Sequence, residues 1–446
     1  MEAFLFRYYI DYASRAFDLC DLLRHFALVV PCRALSYAPL LNAIFAVSAR
    51  QLSRTNADMD PAVADVYYQE CLTGLRHMMV DESALMDENL FAATVILRNL
   101  EEIDSPMQGD GSGSQNAHLL GNSLFAKATV ALHSLARLSD GAGGSPMFTG
   151  LRRAAYLVAV REEIYTSFVA QRPISPSFSS LVIDMSLDAQ PDDDPDWANR
   201  AVFLLADALQ FCFGGENDDG GVIGNSRNNI GASDARNGND TVPASSVYAR
   251  YDELVDYARR WHQKKPQSFS PLYYYDPLAE TSAAGSPLGK KTGMDWAVGL
   301  RRKNYTRNPD GFFPEIWLMS DAVCTGMMHY HLARILLLAF DPRAPRVGPK
   351  RAPFSEEQGR LIRQEVRVLV GIALSNGDDC YPNYVSACMG IALVGERFES
   401  RIERDKILGF LEHTESVCPW TAVTAKEHMS EAWEIGRRSQ SRAQCG

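Results

Sequence analysis

Apolar residues recur along much of this chain at intervals of three and four, the spacing that gathers them on one face of an α-helix. From Asn199 to Phe213 the interval is kept by Val202, Leu205, Leu209 and Cys212. Tyr251, Leu254, Val255 and Ala258 repeat it, with Trp261 near the end of the same helix. A third helix carries His331, Leu332, Ile335, Leu336 and Ala339. Ser320 is placed to cap its N-terminus, and Asp341-Pro342 stops it, because the residue before a proline is pushed out of helical space. Leu361, Ile362, Val366, Leu369, Val370 and Ala373 mark a fourth helix, closed by Asn376-Gly377. Period-two alternation is scarce, and Leu181-Val182-Ile183 is the one short run with strand character. The pattern predicts an all-α protein, a multi-helix bundle or irregular helical array.

Three polar, glycine-rich stretches interrupt the periodicity, at 105–116, 214–246 and 283–308. The middle one opens Gly-Gly-Glu-Asn-Asp-Asp-Gly-Gly and holds too little apolar surface to offset the entropy of ordering it. All three are expected to be flexible inserts in one helical region spanning 1–437, with a disordered tail over 438–446. No fixed-period repeat is visible, so a regular solenoid is not expected. Trp197, Trp261, Trp317, Trp420 and Trp433 are expected near helix ends or on apolar faces, as structural anchors.

Composition narrows the class of protein. At 46% hydrophobic and 22% charged residues, the 446-residue chain has the balance of a soluble globular protein with a sizeable core. Lys and Arg total 44 against 55 Asp and Glu, a formal charge of −11, so a polyanion such as DNA meets net repulsion. The longest apolar run, Ile335 to Phe340, is far short of a membrane span, and Met1-Glu2-Ala3-Phe4 lacks the positive segment of a secretory signal. The expectation is a protein of the cytosol or nucleus without a membrane partner. Nine cysteines are scattered with no C-x-x-C pair, in apolar settings such as Phe211-Cys212-Phe213, and are expected in the core as reduced thiols.

Candidate chemistry is sparse. Asp192-Asp193-Asp194-Pro195-Asp196 has the form that an all-α terpene cyclase uses to hold magnesium against diphosphate, which makes a metal-dependent enzyme the alternative function. Proline and acidic crowding instead predict a loop leading into the Trp197 helix, its carboxylates favoured by the positive end of the helix dipole. No second metal motif follows, neither at Asn217-Asp218 nor at Asn239-Asp240. His329 and His331 stand two apart, on different sides of a helix, and read as partner-bonded core histidines; His25, His77 and His118 are isolated. The G-x-S-x-G elbow, the P-loop and the dinucleotide-binding glycine loop are all missing from the sequence. Lys290-Lys291 with Arg301-Arg302-Lys303 has the form of a two-part nuclear import signal, although a solvated loop cluster is the plainer reading. Asn304-Tyr305-Thr306 is a glycosylation sequon in form only, given the lack of a secretory signal. No catalytic, cofactor-binding or metal-ligating residue is expected, and no cofactor.

Several phrases carry a resemblance by their joint order. They are Tyr8-Tyr9-Ile10-Asp11, Phe17-Asp18-Leu19, His25-Phe26, Val30-Pro31, Leu40-Leu41-Asn42-Ala43-Ile44 and Ser48-Ala49-Arg50, then Arg161-Glu162-Glu163-Ile164-Tyr165, Gln171-Arg172-Pro173 and Trp197-Ala198-Asn199-Arg200. Tyr251 to Trp261, Lys265-Pro266, Phe313-Pro314-Glu315-Ile316-Trp317, His329 to Arg334, Gly371-Ile372-Ala373, Trp420 and Trp433 continue the series. In this order, from about Tyr8 to about Trp433, the chain resembles the fungal-specific transcription factor domain, the regulatory region found downstream of binuclear zinc cluster DNA-binding modules. The resemblance implies a helical regulatory body acting in the nucleus, through other transcription regulators or a zinc cluster factor as partners, through intramolecular masking, through a homo- or heterodimer, or through a small effector. It also implies genes of a biosynthetic cluster or a stress response as targets. The six-cysteine cluster and basic stretch of the family are missing from these residues, so DNA contact is expected to be indirect or weak.

Overall fold

The computed structural model describes residues 1–55, 58–78, 82–104, 115–139, 150–178, 180, 183–188, 193–214, 244–278, 311–377, 380–423, 425–427, 429–431 and 433. Among these residues the fold is all-α, with one two-stranded sheet. Its helices are α1 (Glu2–Asp11), α2 (His25–Leu28), α3 (Val30–Ala34), α4 (Ala38–Thr55), α5 (Pro61–Met78), α6 (Glu88–Asp104), α7 (Gln115–Ser139), α8 (Gly150–Ala170), α9 (Asp194–Phe213) and α10 (Ala244–Lys264). After strands β1 (Tyr273–Tyr275) and β2 (Glu315–Trp317) follow α11 (Asp321–Ala339), α12 (Arg351–Asn376), α13 (Pro382–Val394) and α14 (Arg401–Val417).

Amphipathic spacing places the N-terminal helices: α4 lies against α1, α5 and α6, and α6 in turn against α7 and α8. In the C-terminal part, α11 is the central rod. It is covered by α9, α10, α12 and α13 and is buried around most of its circumference. Its 19 residues are apolar and long enough to cross a membrane by length and composition alone, at a mean hydropathy of 1.2, yet 83% of that window is buried inside the protein. A helix that is apolar all round is the expected centre of a large core.

The α9–α11 contact is the most extensive in the fold among the described residues. Gly326 makes it close: a Cβ there would lie 2.9 Å from Ala198 Cα on α9 and 2.8 Å from the Phe269 ring. Trp197 and Trp261 meet beside this seam at a centroid distance of 6.5 Å, and Trp261 Nε1 donates to the Trp197 carbonyl (3.0 Å). Apolar contacts extend through one core from Leu5 to Trp433. α8 touches α6, α7 and α9 and also α13, so it ties the two parts of the chain together.

Ser320 Oγ accepts from the Val323 amide (3.3 Å), so the N-cap read from sequence is present, and α11 ends at Ala339, just ahead of Asp341-Pro342. Gly377 closes α12 at φ −90°, without left-handed backbone; glycine is required there because a Cβ would collide with the Tyr384 ring at 2.2 Å. The strands lie elsewhere than expected. Ile183 is in a bend, Leu181 and Val182 fall outside the described residues, and the sheet pairs Tyr274 with Ile316 in antiparallel register. The outer edge of β2 is satisfied by the end of α12: Ser375 Oγ accepts from the Ile316 amide (3.0 Å), and Asn376 Nδ2 donates to the Ile316 carbonyl (2.8 Å). Trp317 therefore sits on a strand, while Trp197, Trp261, Trp420 and Trp433 are buried anchors.

Of the expected inserts, residues 105–114, 215–243 and 283–308 lie outside the described residues, as does the 438–446 tail. Gln115 opens α7 and Ala244 opens α10, so the last two residues of the first expected insert and the last three of the second are helical. The described cysteines are free thiols, buried except for Cys32, whose exposure departs from the expected core placement.

Candidate functional site

Between α6, α8, α11 and the start of α13 lies a cavity of about 90 Å³. Spacing along the helices explains who faces it. Val158, Arg161, Glu162 and Tyr165 project from one face of α8, Asn99, Glu102 and Ile103 from α6, and Thr325 and His329 from successive turns of α11. Tyr381, Asn383 and Trp420 close the C-terminal side, and Phe17 closes the N-terminal side.

The polar groups here are unusual for a core. Arg98 on α6 faces three carboxylates, with Nη1 3.4 Å from Glu101 Oε2 and Nε 3.7 Å from Glu102 Oε1, the latter beyond hydrogen-bond reach. Tyr68 donates to the other Glu101 oxygen (3.0 Å). Asn122 Nδ2 on α7 donates to Glu162 Oε2 (2.9 Å), whereas Glu162 Oε1 has no hydrogen-bond partner although the residue is only 5% exposed. Trp420 Nε1, on a residue 2% exposed, is a donor in the same condition. Tyr381 donates to Asn99 Oδ1 (3.0 Å), and Arg161 Nη2 to the Phe17 carbonyl (2.8 Å). The neighbouring Glu163 shows what full satisfaction looks like: it accepts from Arg172 (2.8 Å), from the Ser175 amide (2.8 Å) and from Ser167 (3.2 Å).

Titration follows the burial. Loss of solvent pushes Glu101 and Glu102 up to about 7, against the pull of Arg98. Glu162 is raised well above the ordinary carboxylate range by burial first and by Glu102 second. Burial acts against the charge on Arg98, but the three glutamates outweigh it and its pKa is raised. His329 is pushed down to about 4 by burial and donates through Nδ1–H to the Thr325 carbonyl (2.8 Å), so it is neutral at pH 7. Glu102, Glu162, His329 and Trp420 thus belong to the walls of this cavity, while the unpartnered atoms Glu162 Oε1 and Trp420 Nε1 are packed against protein.

The residues weighed from sequence lie elsewhere or have structural partners. Asp192 is outside the described residues; Asp193 is the N-cap of α9, accepting from the Asp196 amide (2.9 Å), and Pro195 follows in the first turn. Asp194 accepts from Ser268 Oγ (2.5 Å), and Asp196 pairs with Arg153 (2.9 Å). Asp193 and Asp194 do border an open cleft shared with Asp18, Asp21 and Asp321. Asp18 is nevertheless bonded to the Phe26 and Ala27 amides, and Asp21 to His25 Nδ1. Among the described residues no group of three His, Cys, Asp or Glu side chains is arranged to hold a metal ion. His329 and His331 diverge as read: His331 Nδ1–H donates to Glu365 Oε2 (2.5 Å), which also meets Arg334 through its other oxygen (2.9 Å). The basic clusters at 290–291 and 301–303 and the sequon at Asn304 lie outside the described residues.

Sequence reasoning missed Glu102, Glu162 and Trp420 as site residues. The available signal was α8 itself, where Ala154, Tyr156, Leu157, Val158, Val160, Ile164 and Phe168 cover every side. Charged residues embedded in a helix that is apolar all round have to point into protein. No family model, curated protein or solved structure matches the chain.

Proposed function

We propose that the chain is the regulatory body of a fungal-type transcriptional regulator, which acts in the nucleus through contacts with other transcription regulators or a zinc cluster factor and has no catalytic role. The observation that carries this reading is the cavity at the junction of α6, α8, α11 and α13, whose walls include Asn99, Glu102, Arg161, Glu162, Thr325 and His329. A ligand there touches helices from both ends of the chain at once, and a ligand biases an equilibrium only through contacts that differ between its states. The order of sequence phrases shared with the fungal regulatory domain supports the same reading. The acidic cleft at Asp193 favours the metal-dependent alternative less, because the carboxylates described above already cap helices or bond to Ser268, Arg153 and His25.

The experiment is to fuse the full chain to an unrelated DNA-binding module over a reporter, and in parallel to crosslink the tagged protein at native level and identify bound promoters and proteins. A change in reporter output, with promoters recovered together with a zinc cluster factor, is the expected result. A silent fusion and a protein recovered from the cytosol with neither would refute it.

A further inference from the structure

We infer that the cleft between α10 and the C-terminal half of α11 binds a small apolar monocarboxylate, its carboxylate at His262 and Arg334 and its apolar body along Val255, Leu337 and Leu338. This cleft is separate from the cavity described above and has a volume of about 360 Å³, within the roughly 300–1,000 Å³ of small-molecule sites. Helical spacing gives it two unlike ends. On α10, Tyr251, Val255 and Ala258 face the cleft, and Arg259, His262 and Gln263 follow about one turn later. On α11 the order is Tyr330, Arg334, Leu337 and Leu338. The two helices run in opposite directions here, because the Tyr330 ring stacks on His262 (5.3 Å) while Tyr251 Oη donates to the Leu337 carbonyl (3.1 Å). Cationic and donor groups therefore gather at one end and apolar side chains at the other. At a rise of about 1.5 Å per residue, Tyr330 to Leu338 spans about 12 Å, which sets the length of the ligand.

The polar end is open to solvent: Arg259, His262 and Gln263 are exposed and Arg334 is partly so. Arg334 uses Nε on Glu365 (2.9 Å) and Nη1 on the Tyr330 hydroxyl (3.3 Å), two of its five N–H groups, and its guanidinium lies 5.9 Å from the Tyr330 ring centre. Gln263 Oε1 accepts from Arg259 (3.1 Å), so the amide NH2 of Gln263 is the group left to donate. Glu365 and Asp256, the carboxylate partners of Arg334 and Arg259, are not among the described walls of the cleft, and neither is any other carboxylate. A ligand carboxylate presents acceptors only, in the planar geometry that a guanidinium matches. An ammonium would meet donors there, and an inorganic anion would leave Val255, Leu337 and Leu338 uncovered.

His262 makes the binding pH-dependent. Burial first, then the charges of Lys265 just beyond α10 and of His331 and Arg334 on α11, hold its pKa at about 4, with Glu365 on α12 opposing them. A bound carboxylate adds a second negative charge and raises that pKa back towards the ordinary 6.5. The complex then holds the proton more tightly than the free protein, so a proton is taken up and affinity rises as the pH falls.

The test is titration calorimetry of the full chain with octanoate, alongside octan-1-ol, which removes the charge, octylamine, which reverses it, and butanoate, which shortens the apolar body. Octanoate is expected to bind at one site, and octan-1-ol and octylamine at least about tenfold more weakly for want of charge-assisted bonds to Arg334. Butanoate, with four methylenes fewer to bury, is expected to bind at least about a hundredfold more weakly. Between pH 7.5 and 5.5 the octanoate affinity tightens by up to about tenfold, with proton uptake counted from the binding heat in two buffers of different ionisation enthalpy, and His262→Gln removes both effects. Arg334→Gln is expected to weaken binding at least about tenfold with an unchanged far-UV spectrum. Val255→Glu, at a position 38% exposed and so tolerant of charge, sets a carboxylate at the apolar end and abolishes binding. Absence of octanoate binding, octan-1-ol or octylamine binding as tightly as octanoate, or wild-type affinity in folded Arg334→Gln or Val255→Glu protein overturns the assignment. An affinity independent of pH in the wild type overturns the placement of the carboxylate at His262. No DNA or partner enters this measurement, and its result leaves the regulatory reading to the reporter fusion.

Discussion

His329 makes the burial of the cavity measurable in the stability of the whole protein. It is 8% exposed, its Nδ1–H is bonded to the Thr325 carbonyl, and burial together with the nearby Arg161 charge holds its pKa at about 4 against an ordinary 6.5. The unfolded chain therefore binds this proton more tightly than the folded one. Stability from this group is intact above about pH 6.5 and is lost as the pH falls towards 4. A difference of ~2.5 pKa units corresponds to about 3 kcal/mol, of which about 2.5 kcal/mol is lost by pH 4.5. His329→Asn keeps an amide N–H directed at Thr325 and cannot titrate. Its smaller side chain costs about 1–2 kcal/mol of packing, a loss independent of pH. Urea unfolding of both proteins at pH 7.5, 6.5, 5.5 and 4.5 isolates the effect, because Glu101, Glu102 and Glu162 titrate in both and cancel in the difference. The variant is expected to be the weaker protein at pH 7.5 and to equal or exceed the wild type at pH 4.5. A stability difference that stays constant across this range would refute the neutral, buried assignment of His329.

Gly326→Ala forces a methyl group into Ala198 and Phe269 at the α9–α11 seam and is expected to lower stability by about 1–3 kcal/mol in chemical denaturation; an unchanged midpoint would show that the helices part freely there. Glu365→Ala strips His331 and Arg334 of their shared carboxylate. Because the Arg334 side chain is 39% exposed and rehydrates, the expected loss is about 2 kcal/mol in urea unfolding, smaller than for a fully buried pair, and a double-mutant cycle with His331→Phe isolates the Glu365–His331 share. Ser320→Ala removes the cap of α11 and is expected to cost about 1 kcal/mol, with faster hydrogen exchange at the Val323 amide.

Long periodic helices were legible because their physics is local. The α9, α10, α11 and α12 patterns, the Ser320 cap and the stop before Pro342 depend on residues a turn apart, and each stands where the sequence placed it. The sheet was not legible: three residues per strand are too few to alternate, and Tyr273 meets Trp317 across a long stretch of intervening chain. Leu181 to Ile183 had a better strand composition, yet Ile183, the one of the three among the described residues, lies in a bend. The cavity was hidden for a related reason. Arg98, Glu101 and Glu102 recur at helical spacing, which reads as a solvated face carrying intrahelical ion pairs, and only the approach of α8 converts that face into an interior. Asp193 gave the opposite error in emphasis. An acidic run looks chemical in sequence, while in the fold its members cap α9 and bind Arg153 and Ser268.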